Sequence, residues 1–110
     1  MEKDDLIFIK HILESIEAIE NFSEGMLKEE LISNRLKQSA ITREIEIIGE
    51  ASKNLSDYFK NKHKEIEWKH IIGTRDILIH HYFGVDLNIL WNITKKDLPN
   101  LKKKLEKIKA

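Results

Sequence analysis

Between positions 75 and 82 the chain carries Arg75, Asp76, His80 and Tyr82 inside an otherwise apolar run, GTRDILIHHYFGVD. These residue types suit the cleavage of an RNA phosphodiester. A 2′-hydroxyl must lose a proton, the leaving 5′-oxygen must gain one, and negative charge gathers at phosphorus between the two events. A histidine exchanges protons near neutrality, and an arginine is a fixed cationic fork for phosphate oxygens. Asp76 is suited to orient His80 and raise its basicity. Tyr82 is suited to hydrogen-bond a phosphate or to carry a modification. That route needs no metal. From spacing alone, the same set also reads as ion-pair and packing residues.

The elements that position these residues read as helical. Trp68, Ile71, Ile72, Ile79 and Tyr82 fall on one face of a 3.6-residue repeat, and Arg75 occupies the offset on that face where an apolar residue is expected. Burying an unpaired guanidinium is costly, so the pattern requires a carboxylate, a second subunit or a phosphate to meet Arg75. A helix over 68–83, stopped by Gly84, is predicted. On it Asp76 and His80, four apart, share a face. Arg75 and His80, five apart, stand about 140° round the axis. Either the helix loosens near His80, or two copies of the chain combine their residues at a twofold axis. His81 beside His80 suggests a metal pair, but adjacent helical residues point about 100° apart and ligate one ion poorly. His11, His63 and His70 show no ligand spacing with them, so neither metal nor cofactor is expected. His70 reads as a surface residue and both tryptophans as core.

The rest of the chain is periodic in the same way. Leu6, Ile9, Leu13 and Ile16, widened by Ile12 and Ile19, mark a first helix begun by Asp4 or Asp5. Ser23 is read as the N-cap of a short helix through Leu31. Asn34 is read as the cap of a long helix carrying Ile41, Ile45, Ile48 and Leu55. Gly49 within it costs helix stability, which suggests a close backbone neighbour. Ser56 starts a short helix over 57–62, Asp86 caps another with Leu87, Leu90 and Trp91, and Pro99 suits the first turn of the last. No alternation long enough for a strand is present. The expected architecture is all-α: an up-and-down bundle of four main helices with one or two short ones, in a single domain over residues 1–110. Leu6, Ile7, Phe8 and Ile9 in a row exceed what one stripe buries, which points to a homodimer.

Composition bounds the functional classes. With 110 residues, 41% hydrophobic and 35% charged, the chain has the make-up of a globular domain. It holds no cysteine, which excludes disulfide frameworks and thiolate chemistry. Its first residues are acidic where a secretory leader is basic, and no stretch approaches a membrane span; a cytoplasmic location is expected. The net charge of zero hides an asymmetry. Residues 1–50 hold twelve acids and six bases, residues 51–110 seven acids and thirteen bases. The basic half contains the Arg75 segment and a lysine-rich tail. That tail can attract a polyanion, but a solvated helix face is the more common explanation of such a run and the one the tail favours by itself.

The string RDILIHHY resembles the R-x4-H-x-Y motif of HepT-type HEPN toxins, a family formerly described as a domain of unknown function. The likeness extends along nearly the whole chain: His11 to Glu14 followed by Ile16 and Ile19; Gln38, Ala40, Arg43 and the run Ile45 to Ala51; Trp68, Ile71, Ile72 and Gly73; Phe83 to Asp86; and Asp97-Leu98-Pro99. The resemblance implies a dimeric helical domain with two motif copies facing one cleft. It implies metal-independent endoribonuclease activity that leaves a cyclic phosphate, with Arg75 and His80 as the catalytic pair and Asp76 in support. It further implies the toxin of a type VII toxin–antitoxin pair. Its partner would be a minimal nucleotidyltransferase antitoxin able to place AMP on Tyr82, adding bulk and negative charge to the cleft. Two positions depart from the family pattern: His81 stands where an acidic residue is common, and Glu67 where proline is. The alternatives are a non-catalytic dimeric partner or substrate-binding module of a nucleotidyltransferase, and a structural bundle with Arg75 paired to Glu46 or Glu50.

Overall fold

A computed structural model of the chain describes residues 3–80 and 84–109, with backbone alone at 3, 75, 77–80, 84, 85 and 109. Helix α1 (Lys3–Ser23) leads through the short α2 (Lys28–Ser33) to α3 (Arg35–Lys53). The short α4 (Asp57–Lys62) then precedes α5 (Trp68–Leu78). Two-residue strands β1 (Ile79–His80) and β2 (Gly84–Val85) follow, then α6 (Leu87–Asn92), a π-helical turn (Ile93–Asp97) and α7 (Leu98–Lys109). Because α6, the π turn and α7 are continuous, the described residues form four long helical rods and two short helices, the all-α architecture expected. α1 packs along α3, α3 along α5, and α7 returns against α1.

Each helix begins where its local chemistry favours it, with two exceptions. Asn34 Oδ1 accepts from Lys37 N at 2.9 Å and opens α3; Ser56 Oγ accepts from Phe59 N at 3.1 Å and opens α4. Asp86 Oδ1 accepts from Asn88 N and Ile89 N at 3.0 and 3.1 Å and opens α6. These bonds satisfy amides that a helix start leaves unpaired. The first exception is Ser23, which ends α1 rather than capping α2. Its hydroxyl donates back to the Ile19 carbonyl at 2.7 Å, a bond within the helix that outcompetes a cap to later residues. Gly25, at φ +67°, then reverses the chain, and α2 starts behind Leu27 with no side-chain cap. The Ser23 carbonyl is met by Lys95 Nζ at 2.9 Å, a cation at a helix C-terminus.

The second exception is Asp5. It lies in the first turn of α1, as expected, yet it is buried and reaches across the fold. One carboxylate oxygen accepts from Ser56 N at 2.8 Å and the other from Ser56 Oγ at 2.7 Å. The start of α1 is thereby clamped to the corner between α3 and α4.

The core is an isoleucine stack. Ile9, Ile12, Ile16 and Ile19 of α1 meet Ile41, Ile45 and Ile48 of α3, with Leu90, Leu101 and Leu105 closing the far side. Each such side chain, fully buried, contributes about 1.5–3 kcal/mol. The buried stripe is rotated from the expected one: Leu6 is 47% exposed and Leu13 only half-buried. Leu55, also buried, lies beyond the end of α3, and Ala51 takes the corresponding core place on the helix. Trp68 is buried and Trp91 half-buried.

Pro99 lies in the first turn of α7, as expected, although α7 continues directly from the π turn. In an unbroken α-helix its ring would collide with the Lys95 carbonyl. Here the preceding turn widens to π spacing, with Leu98 N bonded to Ile93 O, so the rod passes Pro99 without a break.

Candidate active site

Helix α5 carries the first half of the 75–82 set, and its base is firmly seated. Trp68 Nε1 donates to the His63 carbonyl at 3.0 Å, and the indole packs on Phe59 with ring centroids 5.9 Å apart. Phe59 also packs against the His63 ring at 4.6 Å. Further along, a Cβ at Gly49 would stand 3.5 Å from the Ile71 and Ile72 carbonyls. The close backbone neighbour anticipated for Gly49 is therefore α5 itself. Thr74, buried, donates to the His70 carbonyl at 2.8 Å within the same helix.

The helix ends five residues earlier than its apolar periodicity suggests. It stops at Leu78 instead of continuing to Phe83, and Gly84 is a strand residue rather than a helix stop. Ile79 pairs with Val85 and His80 with Gly84 in an antiparallel bridge. The β-branched Ile77, Ile79 and Val85 favour extended backbone. Asp86 starts a new helix immediately afterwards, so the chain must reverse before it. Two consequences follow for the site. Asp76 and His80 are no longer one helical turn apart on a shared face, and Asp76 is exposed. The 140° separation of Arg75 and His80 on an ideal helix also no longer applies. Arg75 is on the last turn of α5 and His80 on an extended segment, so the backbone leaves the helix before His80. The side chains of Arg75 and His80, and Tyr82 with His81 and Phe83 entirely, lie outside the described residues. So does any pairing of Arg75 with Glu46 or Glu50.

One constellation beside the motif was not anticipated. His70 of α5 and Asp97 of the π turn face each other, Nε2 to Oδ2, at 3.9 Å, each about half exposed. They stand at the mouth of a cleft between α3, α5 and α7. Twenty-seven positions separate them in sequence, and no local pattern links them. Among the described residues no group of three or more His, Asp or Glu side chains is placed to hold a metal ion. No helix among them is long and apolar enough to cross a membrane.

An all-α bundle with an Arg-x4-His-x-Tyr segment at the break of its third rod defines a HEPN-like domain. The chain matches the family model "Ribonuclease HepT-like" over residues 12–108 and belongs to that family. It is 43% identical over 109 residues to "Probable ribonuclease HepT" of Thermococcus cleftensis, covering 99% of each chain. It is 47% identical over 108 residues to "Gamma-glutamylcyclotransferase and putative RNase MJ0434" of Methanocaldococcus jannaschii; there it spans 98% of itself but only 49% of the relative. A third relative, "Putative RNase MJ1380" of the same organism, is 40% identical over 105 residues, 96% of both chains. No solved structure matches the chain.

Proposed function

We propose that this protein is a metal-independent endoribonuclease, the toxin of a toxin–antitoxin pair whose antitoxin is a minimal nucleotidyltransferase. The observation that carries the reading is the Arg-x4-His-x-Tyr sequence of Arg75, His80 and Tyr82, with Arg75 in α5 and His80 in β1, in a chain of the HepT-like ribonuclease family. The names of its relatives, ribonuclease or RNase, support the same chemistry. The His80 imidazole takes the proton of a 2′-hydroxyl, and the resulting oxyanion attacks the adjacent phosphorus. Arg75 holds the phosphate oxygens as charge gathers on them. The 5′-oxygen departs as its bond to phosphorus breaks and takes a proton from the His80 imidazolium, leaving a 2′,3′-cyclic phosphate and neutral His80. Asp76 supports the basic side of the site, and Tyr82 is the residue that the antitoxin modifies with AMP. The protein acts as a homodimer in the cytoplasm. The exposed Leu6 and Ile7 on α1, beside buried Ile9, support a second chain on that face.

The test is incubation of the purified protein with end-labelled tRNA and mRNA in EDTA, followed by analysis of product ends. Wild type yields cyclic-phosphate ends. His80→Ala slows cutting by about 10²–10⁴-fold, the usual size of a lost general base. Arg75→Ala slows it by about 10²–10³-fold. Cutting at the wild-type rate by His80→Ala, in a preparation free of other nucleases, removes His80 from the mechanism. Growth arrest on expression, relieved by the same substitutions, separates this reading from a non-catalytic binding module.

A further inference from the structure

The cleft beside α5 has a volume of about 150 Å³ and an apolar floor that includes Ile45, Ile48, Ile93 and Leu98. His70 and Asp97 stand at its mouth, 3.9 Å apart. That separation is too long for a hydrogen bond between them, so both keep capacity for a third group set between them. An apolar slot with a few convergent polar atoms is the ordinary form of a small-ligand site. The π turn that supplies Ile93 and Asp97 is a departure from helix geometry that recurs at functional sites.

We propose that this cleft is a subsite for one pyrimidine base of the bound RNA, with Asp97 and His70 reading the base edge. The inference rests on the RNA-cutting reading above and adds a base preference to it. Size favours a single ring, since a cavity of roughly 150 Å³ accommodates benzene and a fused purine projects beyond it. Edge chemistry fits either pyrimidine; adenine (N6–H beside N1) and guanine (N1–H beside O6) carry the same pair, so ring size is what keeps a purine edge from reaching Asp97 and His70. Cytosine presents N4–H beside N3, and uracil N3–H beside O4: a donor next to an acceptor. Asp97 accepts from the base N–H, a pairing used elsewhere for cytosine N4. His70, in the tautomer with its proton on Nε2, donates to the neighbouring acceptor. Placement ties the cleft to the motif. Ile71 and Thr74 line it, and Arg75 follows on the same helix, one turn or about 6 Å beyond Ile71. A base seated there belongs to a nucleotide beside the linkage being cut.

The experiment titrates the full chain with each of the four nucleoside 5′-monophosphates, following the NMR methyl signals of Ile71, Ile93 and Leu98. The cytidine and uridine nucleotides shift these methyls at concentrations about tenfold lower than the purine nucleotides, the low end of what one two-point base contact discriminates. Asp97→Ala, which removes the acceptor, and, independently, His70→Ala abolish the difference. In cleavage assays pyrimidine at one flanking position speeds cutting by a similar factor. Asp97→Ala brings that ratio to about one by slowing the cutting of pyrimidine-flanked RNA, with a urea-unfolding midpoint close to that of wild type, which separates the loss from a loss of folding. An equal response to all four nucleotides, or none at these methyls, overturns the subsite even if RNA is cut. Pyrimidine-selective shifts in a protein that cuts no RNA uphold the subsite and overturn the cutting mechanism.

Discussion

Replacing Asp5 with alanine should be among the most damaging single changes outside the isoleucine stack. The carboxylate is 1% exposed and accepts two short bonds, from Ser56 N and Ser56 Oγ. Hydrogen bonds to a charged group contribute about 1.5–3 kcal/mol each, and an amide left unpaired away from water costs about 1–3 kcal/mol. The two losses overlap, because the Ser56 hydroxyl can turn towards solvent, so the expected destabilisation is about 2–4 kcal/mol. Urea unfolding then shifts its midpoint down by roughly 1–2 M with an unchanged slope. Asp5→Asn, which keeps one acceptor, should lose about half as much. Asp4→Ala, one residue away and exposed, should stay within about 0.5 kcal/mol. The decisive measurement is a double-mutant cycle with Ser56→Ala. A coupling of at least about 1 kcal/mol is expected for residues in direct contact. Additive single effects would show that the clamp contributes nothing beyond each residue's own helix start.

Three further outcomes follow from particular contacts. Gly49→Ala should raise stability by about 0.5–1 kcal/mol in thermal or urea unfolding, because the new Cβ meets the Ile71 and Ile72 carbonyls at an ordinary 3.5 Å; Gly49→Leu should destabilise by forcing α5 away from α3. Asp86→Ala should cost about 0.5–2 kcal/mol, since two amide bonds at the start of α6 are lost, and RNA cutting should fall as well, because α6 begins three residues after Gly84, the pairing partner of His80. The Lys102 ammonium donates to Glu20 at 2.8 Å, and this hydrogen bond raises its pKa above the usual lysine value. The contribution is thus fully present below the ordinary lysine pKa and is lost as pH climbs through the raised one. Lys102→Met should cost less than about 1 kcal/mol at neutral pH, with the difference from wild type vanishing in strongly alkaline solution.

What lay within a few residues was legible in the sequence. Asn34, Ser56 and Asp86 were read as helix starts because a short polar side chain reaches an amide two or three positions on, and each forms that bond. The isoleucine periodicity placed the core of α1 and α3 almost to the residue, and the ordered polar set at 75–82 identified the family. Ser23 failed because the same hydroxyl can bond backwards within its own helix, and sequence spacing does not choose between the two directions. Other features depend on partners that local pattern does not contain. Asp5 finds Ser56 fifty-one positions away. The helix end at Leu78 is local, since Ile79 and His80 pair with Val85 and Gly84 only six and four positions on, but apolar periodicity does not distinguish that pairing from a continued helix. The π turn is made where a rod must pass Pro99 and keep its apolar face on the core. His70 is a surface residue as expected, and only packing sets Asp97 opposite it. The chain's composition and spacing therefore determined its helices and its family, while tertiary packing decided which distant side chains meet, Asp5 with Ser56 and His70 with Asp97, because burial and long-range bonds depend on the whole fold and not on neighbours in the chain.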